Sequence, residues 1–253
     1  MGYYHAGRFI RRGLALTGYD FSMLSDSDVA NIILQRSEIV SAGREIREWM
    51  EGNSAPLLTL ARDKRHELLA RALEAARTAC ETFTKATDDI APARLADIGC
   101  GYAFADLFLH QRYDCDLVLI DIESHDGPGD DRCFGFNTTH PGYTSLARAR
   151  QFLEANGVSG TRITTSNPRR EAVSALGKFD LVISLLSCGF HYPVDTYESL
   201  FRDQINPEGG IVVDVRRGSG GIGALKKFGG VLMLNTHKKH SRVLVRAGDL
   251  TGH

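Results

Sequence analysis

Residues 93–108 read ARLADIGCGYAFADLF: an apolar run, then small residues at 99, 101 and 103, then a helix-like pattern. Glycines in a strand-to-helix turn let something approach the backbone closely, near exposed amides and the positive end of a helix dipole. Glycine also serves turns for purely local geometric reasons, so the stretch takes its meaning from the rest of the chain.

Downstream of it, short β-rich runs alternate with helical segments. The runs are ARLADIG, CDLVLIDI, TRITTSN, FDLVISLLS and GGIVVDVR; helices are expected over 103–111, 143–156, 169–177 and 194–205. Asp195 and Glu198 have the spacing of a capping box for the last of these. Such alternation implies right-handed βαβ units and a mostly parallel sheet. GGVLMLNTH and SRVLVRAG then read as a closing hairpin, so the expected fold is α/β: a Rossmann-like, doubly wound sheet of about seven strands with one antiparallel member. The boundary is drawn at residue 92, with a helical N-terminal extension over 1–92 and the α/β domain over 93–253. In the extension, Val29, Ile32, Ile33, Ile39, Val40, Ile46 and Met50 follow a helical period interrupted at Gly43, and Leu69, Leu73, Ala76, Cys80 and Phe83 form a second stripe. These stripes would pack on the core or on a second copy of the chain. Residues 1–25 show no clear periodicity.

The 253 residues carry 30 Lys and Arg against 31 Asp and Glu. That balance argues against a whole-protein nucleic-acid or membrane-surface binder. No apolar run reaches the roughly 20 residues that span a bilayer. The five cysteines form no CxxC pair and are expected as reduced thiols of a cytoplasmic protein.

The first turn is Gly99-x-Gly101-x-Ala103, and Phe104 stands where the third glycine of a nicotinamide-binding turn would be. An oxidoreductase is thereby disfavoured, and the absence of GxxxxGK[ST] disfavours a P-loop kinase. Asp97, just before the turn, can receive a cationic amine. Asp121 ends the strand LVLID, where a carboxylate can accept both hydroxyl protons of a ribose.

In LADIGCGYA, LVLIDI, FDLVISLLS and NPEGGIVVDV, in that order, the chain resembles the class I S-adenosylmethionine-dependent methyltransferases over about residues 93–247. The resemblance implies that Asp97, Gly99 and Gly101 line the methionine and ribose part of S-adenosylmethionine. It places Asp121 on the ribose hydroxyls, Ile122 against adenine, and Asn167 or Ser166 near the adenine amine. Ser184 would open the loop where cofactor and acceptor meet.

That loop reads SLLSCGFHYPVDTY and lacks the Asn/Asp-Pro-Pro-aromatic motif of amino-directed nucleic-acid methyltransferases. His191 can take the proton of a hydroxyl nucleophile, or can serve as a structural imidazole near Pro193; Tyr192 and Asp195 are secondary candidates. The cluster of Asp126, Asp130, Asp131 and His140 matches no metal-ligand spacing and reads as a solvated loop, so no metal is expected. Between Arg216 and Arg246 lie eight Lys/Arg residues and no acid. This segment suits either a solvated basic face or an anion site, for a phosphorylated or nucleotide-linked acceptor or for RNA. The expected activity is O-methylation of a small molecule or saccharide. The alternatives are an RNA methyltransferase and a non-catalytic methyltransferase-like binding protein.

Overall fold

Strand β1 (Arg94–Ile98) is the middle one of five parallel strands in a seven-stranded sheet of order β3-β2-β1-β4-β5-β7-β6, in a computed structural model that describes residues 18–40, 42–123 and 143–247. The parallel strands are β1, β2 (Asp116–Ile120), β3 (Ile163–Ser166), β4 (Phe179–Ser184) and β5 (Ile205–Arg216). The hairpin β6 (Gly230–Thr236) and β7 (His240–Arg246) closes the sheet, and β7 runs antiparallel to both β5 and β6. The doubly wound sheet with a terminal hairpin is therefore present.

Period-2 alternation explains its burial on both faces. Leu95, Leu117, Leu181, Val212 and Leu244 join one apolar layer, while Ala96, Val118, Val182, Ile211 and Val243 join the other. The first layer is covered by α1 (Asp26–Gln35), α3 (Ala55–Asp63), α4 (Arg65–Glu81), α6 (Phe104–Tyr113) and α7 (Leu146–Ala155). Between them lie α2 (Gly43–Met50) and the single turn α5 (Thr84–Thr87). Short α8 (Glu198–Asp203) and α9 (Gly221–Leu225) cover the second face.

The N-terminal helices share one core with the sheet: Val29, Ile33, Leu57, Leu69 and Phe83 are buried with Leu107, Leu117 and Phe152. Burying side chains of this size contributes about 1.5–3 kcal/mol each. A capping box fixes the start of α1, where Ser25 Oγ accepts from the Asp28 amide and Asp28 accepts from the Ser25 amide.

Three local expectations are corrected. The helix expected over 169–177 is a 3-10 turn, Val173–Leu176, with no buried residue to supply the apolar face that holds a longer helix. The helix over 194–205 is a 3-10 turn, Val194–Tyr197, followed by α8; Asp195 caps neither and instead pairs with Lys227 at 3.0 Å. The first N-terminal stripe is two helices joined by a 3-10 turn, and Gly43 begins the second of them rather than interrupting a single one.

Candidate functional site

The glycine turn follows β1 directly. Gly99 (φ +80°), Gly101 (φ +57°) and Ala103 (φ +60°) are all left-handed, which is why small residues recur there. The space above the two glycines is taken by the protein itself. A Cβ on Gly99 would collide with the Ser187 side chain, and one on Gly101 would lie 2.8 Å from Gln35 Oε1. The turn is thus roofed by the end of α1 and by the loop after β4.

Asp121, just past β2, ties the turn down. Its Oδ2 accepts from the Gly101 amide and its Oδ1 from the Ile122 amide, both at 2.8 Å. Burial raises its carboxyl to about 7 against the pull of those two amides. Each oxygen keeps capacity for a further donor.

Asp97 stands in register with Leu119 and Ile183, between the two neighbouring strands. It is 3% exposed and lines a cavity of about 130 Å³. Gln35, Arg36, Tyr143, His191 and Tyr192 wall the same cavity. A second cavity of about 400 Å³ opens beyond Asp121, toward Pro168, Val173, Tyr197 and Leu200. Gly99, Asp121, Ile122, Ser187 and Tyr192 line both, so one continuous site crosses the carboxyl ends of β1, β2 and β4. Ligands of open α/β sheets bind in this crevice.

Ser184 is not on its wall. Fully buried, its Oγ donates to the Ile98 carbonyl (2.7 Å) and accepts from the Cys188 amide (2.8 Å). It locks the loop to the end of β1, and Leu185, Leu186 and Ser187 face the cavity instead. Asn167 is also buried at the end of β3, its Oδ1 accepting from the Arg169 amide and its Nδ2 reaching Glu123 at 3.5 Å. Ser166 is 1% exposed.

The loop that carries His191 is closely held. The Ser187 carbonyl accepts from the amides of Phe190 (3.0 Å) and His191 (2.8 Å), and Gly189 donates to the Tyr192 carbonyl (2.7 Å). The half-buried His191 ring packs edge-on against Phe190 at 4.9 Å. Arg216 sits over the Phe190 ring and donates to its carbonyl. Leu186, itself left-handed (φ +60°), donates its amide to buried Asp214, which holds buried Arg242 through both carboxylate oxygens.

Folding gives three of the eight basic residues of the C-terminal segment acidic partners that sequence order hides. Arg242 pairs with Asp214, Arg246 with Asp89, and Lys227 with Asp195 and Glu198. The five-residue α9 offers no long helix dipole at its glycine-rich start. The Asp126, Asp130, Asp131 and His140 cluster lies outside the described residues. Among the described residues no three His, Cys, Asp or Glu side chains could hold a metal, and no helix is long and apolar enough to cross a membrane. Cys80, Cys100, Cys115 and Cys188 are buried free thiols.

No family model matches the sequence, and no curated protein matches it. Solved structures with a similar chain path include a methyltransferase from Pyrococcus furiosus (14% identity, 62% of this chain and 75% of that one, TM-score 0.43). Another is an O-methyltransferase family protein from Burkholderia thailandensis (10%, 88% and 73%, 0.44). A third is the plantazolicin methyltransferase BpumL, solved with a monoazolic desmethylPZN analogue and SAH (15%, 77% and 61%, 0.41). The strand order itself carries the fold assignment. The fold is Rossmann-like and methyltransferase-like. What the chain adds at this crevice is Gln35, Arg36 and Tyr143, which lie outside the motifs, and Ser187, which lies in one but does not stand out there as a site residue.

Proposed function

We propose that the chain is an S-adenosylmethionine-dependent methyltransferase that acts on an oxygen of a small molecule or saccharide. The observation that carries this reading is the joining, in one crevice, of a left-handed glycine turn, the buried carboxylate of Asp97, the half-buried one of Asp121 and an imidazole. The residues fit the cofactor on their own chemistry. Asp97 lines the cavity as a receptor for an ammonium group would, and one of its oxygens, Oδ1, is buried with no hydrogen-bond partner. Asp121 has lone pairs left for ribose hydroxyls, and Ile122 offers an apolar side toward the second cavity, where a base would lie. When bound, S-adenosylmethionine supplies an electrophilic methyl group on a sulfonium.

The protein's own part is then to position an acceptor hydroxyl and remove its proton. His191, backed by Phe190 and fixed by the Ser187 carbonyl, accepts that proton from the cavity wall. Tyr192, on the wall between the two cavities, orients the acceptor. A recessed cavity walled in part by Gln35 and Arg36, and the pairing of Lys227, Arg242 and Arg246 with acids, support a small acceptor over an RNA backbone. The buried free thiols support a reducing, cytoplasmic location.

Calorimetry against S-adenosylmethionine, its demethylated product and NAD tests the cofactor class. Binding of the first two and not of NAD is expected; binding of NAD alone would overturn the reading. Asp121→Ala should weaken S-adenosylmethionine about 10–100-fold, the range for one hydrogen bond to a charged group together with the lost anchor of the Gly101 amide. Wild-type affinity in that variant would place the ribose elsewhere. Gly101→Val should also weaken binding, through the displaced Gln35 and a left-handed valine rather than by direct contact with the cofactor.

A further inference from the structure

Beneath the cavity floor Asp97 meets a second carboxyl that no part of the proposed chemistry uses. Asp106, in the first turn of α6, is fully buried. Asp97 Oδ1 and both oxygens of Asp106 are buried and receive no donor from any other residue. The two carboxyls lie within hydrogen-bond reach of each other, and a bond between them requires a proton on one of them.

We propose that Asp97 and Asp106 hold one proton between them in the free protein and release it when the ammonium group of the cofactor docks on Asp97. This rests on the cofactor reading above and adds to it a binding residue, Asp106, and a proton linked to binding.

The surroundings make ionisation of both carboxyls costly. Burial and mutual repulsion push Asp97 well above the usual carboxylate range, and burial raises Asp106 to about 7. Asp121 at the end of β2 adds negative charge, and Arg36 at the end of α1 is the cation acting on Asp97. The thiols of Cys80 on α4, Cys100 in the turn and Cys115 before β2 face the pair and stay neutral, each pushed upward by burial. An apolar pair would pack here at less cost than two acids. A cation entering from the cavity replaces the proton as the positive partner, and the proton passes to solvent.

Calorimetry at about pH 6.5, in buffers of different ionisation enthalpy, counts the protons. There the α-amino group is already charged in solution, so a released proton comes from the protein. Wild-type protein should release about one proton per S-adenosylmethionine bound. 5′-Methylthioadenosine, which lacks the ammonium, should bind without release. Asp106→Asn should bind S-adenosylmethionine with no proton exchanged, because the amide donates to an already ionised Asp97. Binding to the wild type without release, or equal release by both ligands, overturns the proton-sharing pair and leaves the cofactor reading standing. Failure of S-adenosylmethionine and its product to bind removes the cofactor reading. The pair is then judged on the free protein, by an infrared band of a buried protonated carboxyl. That band should be present in wild type and absent in Asp106→Asn, and its absence from wild type overturns the pair.

Discussion

Arg242→Met should lower stability by about 3–5 kcal/mol, the range for breaking one side of a buried ion pair. Arg242 is 3% exposed and Asp214 fully buried, with two bonds between them at 2.7 and 2.8 Å. The same guanidinium donates to the Ala79 carbonyl and Thr82 Oγ1 at the end of α4, each at 2.7 Å. Methionine fills similar volume but leaves Asp214 as an uncompensated charge and the Ala79 carbonyl without its donor. For a chain of this size the melting temperature should fall by roughly 10 °C. The damage should reach the site, since Asp214 also accepts from the Leu186 amide at 3.1 Å. Restoring charge balance with Asp214→Asn in the same protein should recover part of the loss. A denaturation midpoint within about 1 kcal/mol of wild type would show that the pair is not a principal tie.

His191→Ala should lower turnover by about 10²–10⁴-fold while leaving S-adenosylmethionine affinity unchanged. The imidazole lines the cavity with Asp97 and Gly99, but the cofactor contacts proposed above do not include it. A base must be neutral to accept a proton, so the wild-type rate should rise with pH as the imidazole loses its own. The variant should lose that limb. Steady-state rates across pH decide the matter: the same limb at a reduced rate would make His191 a positioning residue. Near-normal turnover would leave it structural.

The sheet was legible because each strand states its period in a few residues, and because the turn after β1 needs small residues at three left-handed positions. Asp97, Asp121 and His191 were legible for the same reason: they sit at or just beyond strand ends, where topology collects function. The rest depends on contacts between residues far apart in the chain. Gln35 and Arg36 reach the site from a helix about sixty residues upstream. Asp106 reads as an ordinary acid at a helix start and discloses its burial only against β1 and α4. Ser184 carried a parity trap, since the last residue of β4 turns inward to Ile98 and hands the cavity to the next three. The basic run between Arg216 and Arg246 hides the partners of three of its side chains, because the acids Asp89, Asp195, Glu198 and Asp214 lie outside the run or just before it.

The order of the last three strands bears on how the chain can be made. β7 leaves the ribosome after both β5 and β6, yet it lies between them in the sheet. Until it arrives, β5 presents an open edge, Asp214 has no guanidinium, and the carbonyls of Ala79 and Ala86 wait for Arg242 and Arg246. Final closure during synthesis is thus deferred to residues 240–246, which join helix ends about 160 positions earlier. An unpaired edge of this kind is the surface on which nascent chains associate wrongly. A nascent chain stalled before residue 240 should therefore be more prone to aggregation than one stalled after residue 247 has cleared the exit tunnel.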